Sequence, residues 1–426
     1  MKNIFPVSLL LALAFISLSY TFQKENWTQL RGSTADGISM SETAPVNWSE
    51  TENIVWKTPV AGRAWSSPVV YDEQIWLSSA TEDGTRMFAV CIDFESGKII
   101  REIDLFQPQE IQRMHVTNSY ATPTPCIEEG FVYMHFGTYG TACIDTKKME
   151  VVWQRTDLNC QHMQGAASSP ILYKNLLIVH LEGTDVQFIA ALDKTTGQTV
   201  WKTHRPTEKY EDVQPVYRKS YQTPLIINVN GKDQLISNGS LFCIAYEPET
   251  GKEIWRIFYG EDSTVAMPLF FNGIVYVNSG WVLSQGTPFF CRLYAVDPTG
   301  TGDITETHVK WMSEEHIPQT STPVIVDSLM YGVTERGMVS CRDAVTGQII
   351  WTQQLKGHFD ASMIYAAGHI YFSEEKGTSY VIEPGREYKQ VAENKLEGKL
   401  KSTPAILRNS ILMRTDSSLY KIALTK

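Results

Sequence analysis

Polar side chains collect just ahead of a series of proline landmarks in this sequence, and their types are those of a ligand site. Imidazoles carry protons or ligate metals, while amides and phenols orient polar ligands by hydrogen bonding. The residues are His115, Asn118, Tyr120, His162, Gln164, Tyr221, Gln319, His358 and Lys401. If the fold brings them together, convergent polar side chains predict a ligand- or cofactor-binding site. The alternative interpretation is that they line a water-filled channel and cap strand ends.

A second group of polar residues, in the segment HLEGTD, has the composition of a metal site. His180, Glu182 and Asp185 fall within six residues, and carboxylates are oxygen ligands of the kind that calcium prefers. Glu182 and Asp185 are therefore the candidate metal ligands. The competing interpretation, which we favour, is a polar turn between two strands, because the segment is no twelve-residue calcium loop.

Motifs that mark common catalytic chemistries are missing from the sequence. The nine histidines form no HExxH motif, and the chain has no CxxC, GxSxG or Walker A sequence. No catalytic residue is therefore assigned. The seven cysteines are interpreted mainly as free core thiols, because several stand where other repeats have Ala, and one disulfide is left open.

The elements that must position these residues are marked by a repeated phrase: an acid, Gly four residues later and Trp eight residues after the acid. Complete copies begin at Asp193, Glu247 and Asp343. Degraded copies begin at Asp93, where Arg replaces the Trp, and at Asp145, where Met replaces the Gly. A phrase that recurs at this spacing indicates a repeat architecture.

Each phrase follows a landmark in which Ser, Thr or Ala usually precedes Pro and two apolar runs flank a turn. The landmarks are Pro68, Pro125, Pro170, Pro224, Pro268, Pro323, Met363 and Pro404, 40 to 57 residues apart. In most units a core position follows the landmark by seven residues, which fixes a hairpin register. A third run ends at the acid and a fourth carries the Trp. Four short antiparallel strands at this period predict an all-β, eight-bladed β-propeller.

The eighth unit is completed from the other end of the chain. Its C-terminal run SSLYKIALTK provides a third strand, and NIVWKTPV, ahead of the first landmark, provides the fourth and closes the ring. We interpret the repeat tryptophans as structural residues that dock between blades, not as cofactor-stacking residues. They are Trp56, Trp153, Trp201, Trp255, Trp311 and Trp351. An insertion of six residues between Asp297 and Trp311 predicts a surface loop.

The N-terminus predicts export. In residues 1–19 one Lys precedes an uncharged apolar run from Val7 to Leu18, and Ser17 and Ser19 suit signal-peptide cleavage after Ser19. An uncleaved anchor is the alternative. Residues 20–426 then form a single propeller domain, periplasmic or extracellular, with no integral membrane span. No Cys lies near the cleavage site, so a lipoprotein is not expected, and a net charge of -10 argues against nucleic acid as a partner.

The fullest copy of the phrase, ALDKTTGQTVW at residues 191–201, resembles the tryptophan-docking repeat of pyrroloquinoline quinone (PQQ) enzyme-like propellers. The segments WTQLRGSTADGIS, YATPTPCIEEGFVYMHFGTYGTACID and SSPILYKNLLIVHLEGTDVQFIAALD resemble exported bacterial PQQ-binding-like propeller proteins. This resemblance covers nearly the whole mature chain. The chain also resembles the propeller scaffold of the outer-membrane assembly machinery, but lacks its lipid-bearing Cys.

The resemblance implies two functions of different classes. We favour a binding or scaffolding module that holds an envelope protein or a small-molecule ligand at the channel mouth. The alternative is a quinoprotein oxidoreductase that oxidises an alcohol or sugar with PQQ and calcium. The chain has no adjacent Cys pair and is shorter than those catalytic subunits, so PQQ and calcium are not favoured and the ligand is left open. A carbohydrate-processing role rests on analogy of fold alone.

Overall fold

The computed structural model describes residues 24–211, 213–260, 262, 265–280 and 291–424. Within these residues the strands form eight separate sheets, each built on four antiparallel strands that are neighbours in sequence or close the ring. The all-β, eight-bladed propeller predicted from the repeats is confirmed. The predicted signal peptide, residues 1–19, lies outside the described residues.

The first four blades follow one another along the chain, with the strands of each blade in sequence order from the channel outward. Blade 1 contains β2 (Val69–Tyr71), β3 (Gln74–Ala80), β4 (Met87–Asp93) and β5 (Ile99–Phe106). Blade 2 contains β6 (Cys126–Glu128), β7 (Phe131–His135), β8 (Thr141–Asp145) and β9 (Glu150–Arg155). Blade 3 contains β10 (Ile171–Tyr173), β11 (Leu176–Glu182), β12 (Gln187–Asp193) and β13 (Thr199–His204). Blade 4 contains β14 (Leu225–Val229), β15 (Lys232–Asn238), β16 (Phe242–Tyr246) and β17 (Glu253–Phe258).

The remaining blades repeat this order until the last, which takes its outer strand from the N-terminal side. Blade 5 contains β18 (Leu269–Phe271), β19 (Ile274–Asn278), β20 (Leu293–Val296) and β22 (Val309–Ser313). Blade 6 contains β23 (Val324–Val326), β24 (Leu329–Val333), β25 (Met338–Asp343) and β26 (Ile349–Gln354). Blade 7 contains β27 (Ile364–Ala366), β28 (His369–Ser373), β29 (Thr378–Glu383) and β30 (Lys389–Lys395). Blade 8 contains β31 (Ala405–Leu407), β32 (Ser410–Arg414), β33 (Ser418–Ala423) and β1 (Ile54–Pro59).

The hairpin register follows the landmarks as predicted. The residue two positions after each landmark pairs with the residue seven positions after it in seven blades, and with a later residue in blade 4, whose turn is longer. The pairs are Val70↔Ile75, Ile127↔Val132, Leu172↔Leu177, Phe270↔Val275, Ile325↔Met330, Tyr365↔Ile370 and Ile406↔Ile411. Strands with buried side chains on both faces fill the inside of each blade, while the outer strands alternate between exposed and partly buried residues.

The ring closes in blade 8, where β1 pairs antiparallel with β33 from Ile54↔Ile422 to Pro59↔Ser418. A buried guanidinium reinforces the junction with blade 1. Arg414 donates to Ser66 O at 3.1 Å and to Ser78 O at 2.9 Å, and burial lowers the pKa of Arg414 to about 9. The closing strand therefore leaves blade 8 with the same four-stranded sheet as its neighbours.

The residue before the landmark, which is Ser or Thr in seven of the eight blades and Met267 in blade 5, joins blades at the channel. The backbone N–H of that residue donates to the hydroxyl of the equivalent residue in the next blade, at 2.9–3.0 Å. One run of bonds links Ser67, Thr124, Ser169 and Thr223, and another links Met267, Thr322, Ser362 and Thr403. These bonds hold the innermost segments of neighbouring blades at a fixed spacing.

The acid of the repeated phrase shapes a turn on which the Trp of the preceding blade rests. In blade 3, Asp193 Oδ1 accepts two backbone N–H bonds of the turn, and Gly197 has φ +73°. A Cβ on Gly197 would lie 2.7 Å from the Trp153 ring of blade 2. Trp153 Nε1 also donates to Lys194 O at 3.0 Å. Gly197 thus meets two requirements, a positive φ and close approach of the indole.

Similar contacts recur around the ring. The glycines whose added Cβ would collide with the preceding Trp are Gly97 on Trp56, Gly251 on Trp201 and Gly347 on Trp311. Indole nitrogens that donate to a carbonyl of the next blade are Trp56 to Phe94, Trp201 to Pro248 and Trp351 to Gly385, at 3.0–3.2 Å. Trp255 differs, because its Nε1 donates to Gln234 Oε1 within its own blade at 2.8 Å.

Replacing Gly197 with Ala is expected to destabilise the protein by about 2–5 kcal/mol, since a left-handed backbone costs an L-residue about 1–2 kcal/mol and overpacking adds about 1–3 kcal/mol. Gly130 is the matched control, because it has φ +83° and its added Cβ would meet no atom within 4 Å. Urea unfolding of both variants separates the two costs. Equal losses would show that the Trp153 contact contributes nothing.

The insertion between Asp297 and Trp311 corrects the sequence-based expectation. It is at the surface but is not a plain loop, because β21 (Gly302–Asp303) adds in parallel to β17 as a fifth strand of blade 4, and α1 (Thr305–His308) follows. The free edge of β17 explains the difference, since its backbone groups need partners. No pattern of residues indicates this pairing, which joins the insertion of blade 5 to blade 4.

Two 3-10 helices, Gly137–Tyr139 and Pro215–Tyr217, complete the regular structure that the described residues contain. Their only α-helix has four residues, and none of their helices has the length and apolar character needed to cross a bilayer. All seven cysteines are buried, and Cys91, Cys126, Cys143, Cys160, Cys243 and Cys341 are free thiols, as predicted for most of the seven.

Candidate functional site at the channel mouth

The residue three positions before the landmark reaches the same cavity in every blade. The eight equivalent residues are Trp65, Thr122, Ala167, Tyr221, Val265, Thr320, Asp360 and Lys401, and all of them line one cavity of about 450 Å³. Residues from all eight blades can meet only around the axis of the ring, so the cavity is the mouth of the central channel. Its size is within the range of about 300–1,000 Å³ that is usual for small-molecule sites. We call these eight residues the mouth ring.

Most of the residues predicted from the sequence lie at this cavity. The predicted residues that line it are His115, Asn118, Gln164, Tyr221, Gln319 and Lys401. His358 lies beside the cavity rather than in its lining, and its Nε2 is 3.3 Å from Asp360 Oδ1. The channel mouth therefore brings seven of the nine predicted residues into one neighbourhood.

Two predicted residues serve the scaffold around the cavity. Tyr120 packs against Tyr139 with ring centroids 6.0 Å apart, and its hydroxyl donates to Gln112 O at 3.2 Å. His162 is buried, and its Nε2 accepts the Thr138 N–H at 3.2 Å. Neither residue lines the cavity, so the structure does not bring them together with the others.

Asn118, although in the lining, is committed to the surrounding loops. Its Nδ2 donates to Gln164 O at 2.8 Å, and its Oδ1 accepts from Ser119 N at 2.8 Å and from Thr122 Oγ1 at 2.5 Å. Its amide therefore fixes the shape of the mouth and has little capacity left for a ligand. By contrast, no hydrogen bond is formed by the side-chain amide of Gln164 among the described residues.

Sequence reasoning missed four prominent residues of the cavity: Trp65, Lys219, Asp262 and Asp360. Two of them, Trp65 and Asp360, belong to the mouth ring, and the constant offset of three residues from the landmark would have identified both. Lys219 and Asp262 lie further from the landmark in loops of different length, so no repeat position marks them. This offset can be read directly from the sequence, whatever the residue type at the position.

The charges of the cavity are paired with each other. Lys219 Nζ is 3.4 Å from Asp262 Oδ2, and Lys401 Nζ is 2.6 Å from Asp360 Oδ2. Burial alone would raise the pKa of Asp360, but the hydrogen bond to His358 and the charge of Lys401 outweigh it and lower this pKa to about 2. The hydrogen bond to Asp360 in turn raises the pKa of His358. Because each lysine is matched by a carboxylate, the charges of these two pairs cancel within the lining.

Each lysine also approaches an aromatic ring of the cavity. Lys401 Nζ is 5.8 Å from the Trp65 ring centroid, and Lys219 Nζ is 5.0 Å from that of Tyr221. Trp65 is only 6% exposed, and its Nε1 has no hydrogen-bond partner among the described residues. A buried indole N–H without an acceptor is costly, and Trp65 holds such an enclosed donor at the edge of the cavity.

The opposite end of the channel is covered by the segment of residues 24–48, which we call the plug. The plug contacts the innermost strands two residues past the landmark, at the far end from the mouth ring. Backbone hydrogen bonds of 2.8–2.9 Å join Trp27 to Val70, Thr28 to Ile127 and Gly37 to Tyr365. The plug also contacts blade 8, because Glu25 Oε2 accepts the backbone N–H of Arg408 at 2.8 Å. The plug therefore lies at the end of the channel opposite the cavity.

A buried arginine anchors the plug. Arg31 has no exposed surface, and its guanidinium donates to four backbone carbonyls at 2.7–3.0 Å. The acceptors are Asp36 in the plug, Thr322 and Pro323 in blade 6, and Met363 in blade 7. Burial lowers the pKa of Arg31 to about 10, partly offset by the charge of Asp36, so Arg31 stays protonated at neutral pH.

The candidate metal ligands Glu182 and Asp185 hold different partners. Glu182 is fully buried in an ion pair with Arg205, and its Oε1 is 2.6 Å from His180 Nε2. Asp185 is exposed, and its Oδ1 accepts the Gln161 N–H at 2.7 Å. The structure does not bring the two carboxylates to one point, and Arg205 supplies the positive charge that a cation would. The geometry favours structural roles for both residues.

Three buried histidines make the protein sensitive to acid. Burial lowers the pKa of His135 to about 3, of His162 to about 4 and of His180 to about 3. Above a pH of about 6.5 they are neutral in both folded and unfolded chains. As the pH falls below that value the unfolded chain takes up protons that the folded chain excludes, and stability drops by up to about 1.4 kcal/mol per pH unit for each histidine.

We therefore expect the free energy of unfolding, measured in urea, to fall steeply between about pH 6 and pH 4. The variant His162→Gln should show a shallower slope by about one proton. His316→Asn is the control, because His316 is exposed and has φ +55°, which Asn tolerates. A flat profile over this range would contradict the prediction.

Eight four-stranded blades around a channel, with the acid, Gly and Trp phrase in their outer turns, define a PQQ-like β-propeller protein. Within that class the chain belongs to the family described as outer membrane protein assembly factor BamB, whose model matches residues 49–212, 185–305 and 290–387. No curated protein sequence matches the chain.

Solved structures with this fold include natural and designed proteins. BamB from Moraxella catarrhalis aligns with a TM-score of 0.58 at 11% identity, over 87% of this chain and 99% of that chain. The quinohemoprotein alcohol dehydrogenase ADHIIG from Pseudomonas putida HK5 aligns with a TM-score of 0.61 at 10% identity, over 94% and 81%. The computationally designed Ika8 protein aligns with a TM-score of 0.56 at 11% identity, over 89% and 99%. At these identities the likeness shows the fold alone.

The residues of the channel mouth do not fit PQQ with calcium. PQQ is a planar tricarboxylate and needs cations that are not already neutralised, whereas Lys219 and Lys401 are both paired with aspartates. Calcium needs converging oxygen ligands. The cluster of metal-ligand type in the described residues is His358, Asp360 and Glu375, with ligand atoms within 4.8 Å. Lys401 Nζ is 2.6 Å from Asp360 and 3.8 Å from Glu375. The Lys401 ammonium therefore already pairs with the carboxylates that a calcium ion would need.

Proposed function

We propose that this protein is an exported binding or scaffolding module that holds its ligand or partner at the channel mouth. The observation that carries the proposal is the mouth ring, in which one residue from every blade lines a single cavity. The plug supports it, because a channel that is covered at one end forms a binding pocket and not an open pore.

Paired charges favour recognition over catalysis at this cavity. Lys401 lies against Asp360 and Lys219 against Asp262, so neither lysine is poised as a free nucleophile or base. Membership of the BamB family supports a scaffolding role with an envelope protein as partner. A small molecule in the cavity and a protein over its rim are compatible, because the rim residues His115, Val116 and Thr117 are exposed.

A direct test measures ligand-induced stabilisation and partner capture with two matched variants. Ala167→Trp fills the cavity from the mouth ring, whereas Ala61→Trp adds the same side chain at an exposed position. A ligand at a hundredfold excess over its Kd adds about 2.7 kcal/mol of stability. We expect this gain, or recovery of a partner from envelope extract, with wild type and Ala61→Trp and not with Ala167→Trp. Equal behaviour of the two variants would refute a site at the mouth.

The oxidoreductase alternative is tested on the same preparation. The purified protein is mixed with PQQ and calcium, and dye reduction is followed over a panel of alcohols and sugars. Turnover that requires both additions and is lost in Ala167→Trp would overturn the binding-module proposal. Absence of turnover together with ligand-induced stabilisation would support it.

Export is part of the proposal and has its own test. Cleavage after Ser19 would release a mature chain that begins at Tyr20, with residues 20–426 as one propeller domain in the periplasm or outside the cell. Intact mass of the protein recovered from the envelope fraction decides the point. A mass that retains residues 1–19 would favour the uncleaved anchor.

We also propose that the repeat tryptophans act as docking residues between blades. The contacts of Trp56, Trp153, Trp201 and Trp311 with the turn glycines of the next blade support this role. The Gly197→Ala experiment tests it, because the variant disturbs one such contact and leaves the indole in place.

A further inference from the structure

The mouth ring has an uneven distribution of side-chain size that creates a slot. Trp65 in blade 1 and Tyr221 in blade 4 are its aromatic members, and blades 2 and 3 between them contribute only Thr122 and Ala167. Two aromatic side chains thus flank a stretch of small ones along one side of the ring. Such a slot suits a flat ring of modest size, which aromatic faces can cover.

The polar groups around the slot suit hydroxyl groups. Gln164 offers an amide with both a donor and an acceptor. The hydroxyls of Thr122 and Thr320 are less available, because they donate to Asn118 Oδ1 and Glu335 Oε1. A ligand rich in hydroxyls can exchange hydrogen bonds with the Gln164 amide.

The charge pairs of the cavity select against charged ligands. Lys401 with Asp360 and Lys219 with Asp262 each present an ammonium beside a carboxylate. Such a pair offers a donor and an acceptor a short distance apart, which matches two neighbouring hydroxyls of one molecule. An anion would compete with the aspartates and a cation with the lysines, so a neutral ligand keeps both pairs intact.

We propose that the channel mouth binds a neutral saccharide of mono- to disaccharide size. The sugar ring lies against Thr122 and Ala167, in the stretch between Trp65 and Tyr221, and its hydroxyls bond Gln164 and the Lys401–Asp360 pair. A cavity of about 450 Å³ has room for such a ligand. This inference rests on the proposed function, because it names the ligand class of the same site.

The test measures the binding of three kinds of sugar to the full mature chain, by titration calorimetry and by tryptophan fluorescence. The neutral set contains glucose, galactose, mannose, maltose, cellobiose and lactose, the acidic probe is glucuronic acid and the basic probe is glucosamine. We expect at least one neutral sugar to bind, with the charged analogue of the same hexose weaker by about tenfold or more. Charged analogues that bind as tightly as neutral sugars would overturn the inference.

Variants connect the binding to the residues. Trp65→Phe replaces the indole that borders the slot with a smaller ring, so we expect affinity to fall about tenfold and the fluorescence response to disappear. Gln164→Ala should weaken binding, Ala167→Trp should abolish it, and Ala61→Trp should leave it unchanged. Unfolding temperatures of all variants show whether they are folded. Undiminished affinity in folded Trp65→Phe and Gln164→Ala would place the sugar elsewhere and overturn the inference.

The outcome separates this inference from the function on which it rests. If no neutral sugar binds, but another molecule stabilises wild type and Ala61→Trp and not Ala167→Trp, the saccharide inference fails and the binding module stands. If sugars and all other probes fail and envelope extract yields no partner, both fail.

Discussion

Replacing Glu182 with Gln is expected to destabilise the protein by about 3–5 kcal/mol, because breaking a buried ion pair leaves an uncompensated charge. Glu182 and Arg205 form a pair whose side chains are 0% and 1% exposed. Arg205 also donates to Ser237 in blade 4, at 2.7 Å to its Oγ, so the pair joins blades 3 and 4. The loss is measured as the free energy of unfolding in urea.

Asp185→Asn provides the matched control for this prediction. Asp185 is three residues away but exposed, and its Oδ1 accepts only the Gln161 N–H among the hydrogen bonds of the described residues. We expect a loss of less than about 1.5 kcal/mol for this variant. The double variant Glu182→Gln with Arg205→Met should recover part of the stability, since it removes both charges. Similar losses for Glu182→Gln and Asp185→Asn would contradict a special role for the buried pair.

The same variants decide between a structural pair and a metal site. If Glu182 and Asp185 held calcium, added calcium would raise the unfolding temperature of the wild type and either substitution would remove that effect. The ion pair predicts no calcium-dependent difference between wild type and Asp185→Asn. The sequence could not separate the alternatives, because Arg205 follows β13, two strands after Glu182, and its approach depends on the pairing of β11 with β12 and of β12 with β13.

The fold could be predicted because its information is local and repeated. Each landmark sets its own hairpin register, and each acid, Gly and Trp phrase marks one turn and one outer strand, so one recognised unit predicts the others. Even the closing strand follows from this logic, since Trp56 stands outside any complete unit. The parallel addition of β21 to β17 could not be predicted, because backbone pairing at a free edge leaves no pattern in side chains.

The candidate site was predicted in position but only partly in composition. The segments ahead of the landmarks do converge at the channel, as His115, Tyr221 and Lys401 show. Selection by polar residue type overlooked Trp65. It also included His162, although the loop that carries His162 directs its side chain away from the cavity and into the surrounding scaffold. Side-chain direction in an irregular loop depends on contacts with other loops, which spacing alone does not encode. In the mouth ring, by contrast, position relative to the landmark is sufficient.

The position of the plug could not be predicted from the sequence, for a related reason. Arg31 binds carbonyl oxygens of Thr322, Pro323 and Met363, nearly three hundred residues or more away, and every residue type offers a carbonyl. The segment also precedes the first landmark and carries no copy of the repeat. A buried Arg of this kind is visible only when the ring of blades is already assembled around it.

Replacing Arg31 with Met is expected to cost at least about 3 kcal/mol, since it removes four hydrogen bonds from a charged donor and leaves buried carbonyls unpaired. The gain from no longer burying a charge offsets part of this loss. Gly37 adds to the sensitivity of the site, because its added Cβ would lie 2.5 Å from Arg31 Nη2. The guanidinium is thus enclosed by the plug's own backbone as well as by blades 6 and 7.

The measurement for Arg31→Met combines urea unfolding with limited proteolysis of the plug. Thr34→Ala is the control within the same segment, because Thr34 is exposed and its hydroxyl donates only to Asp36 Oδ1, at 2.7 Å, so its loss should stay below about 1.5 kcal/mol. Detachment of the plug predicts early cleavage within residues 24–48 of Arg31→Met while the blades resist. Since the plug covers only the far end of the channel, ligand binding at the mouth should survive in protein that remains folded. Arg31→Met with the stability and cleavage pattern of Thr34→Ala would show that the plug is held by its backbone bonds to Val70, Ile127 and Tyr365 instead.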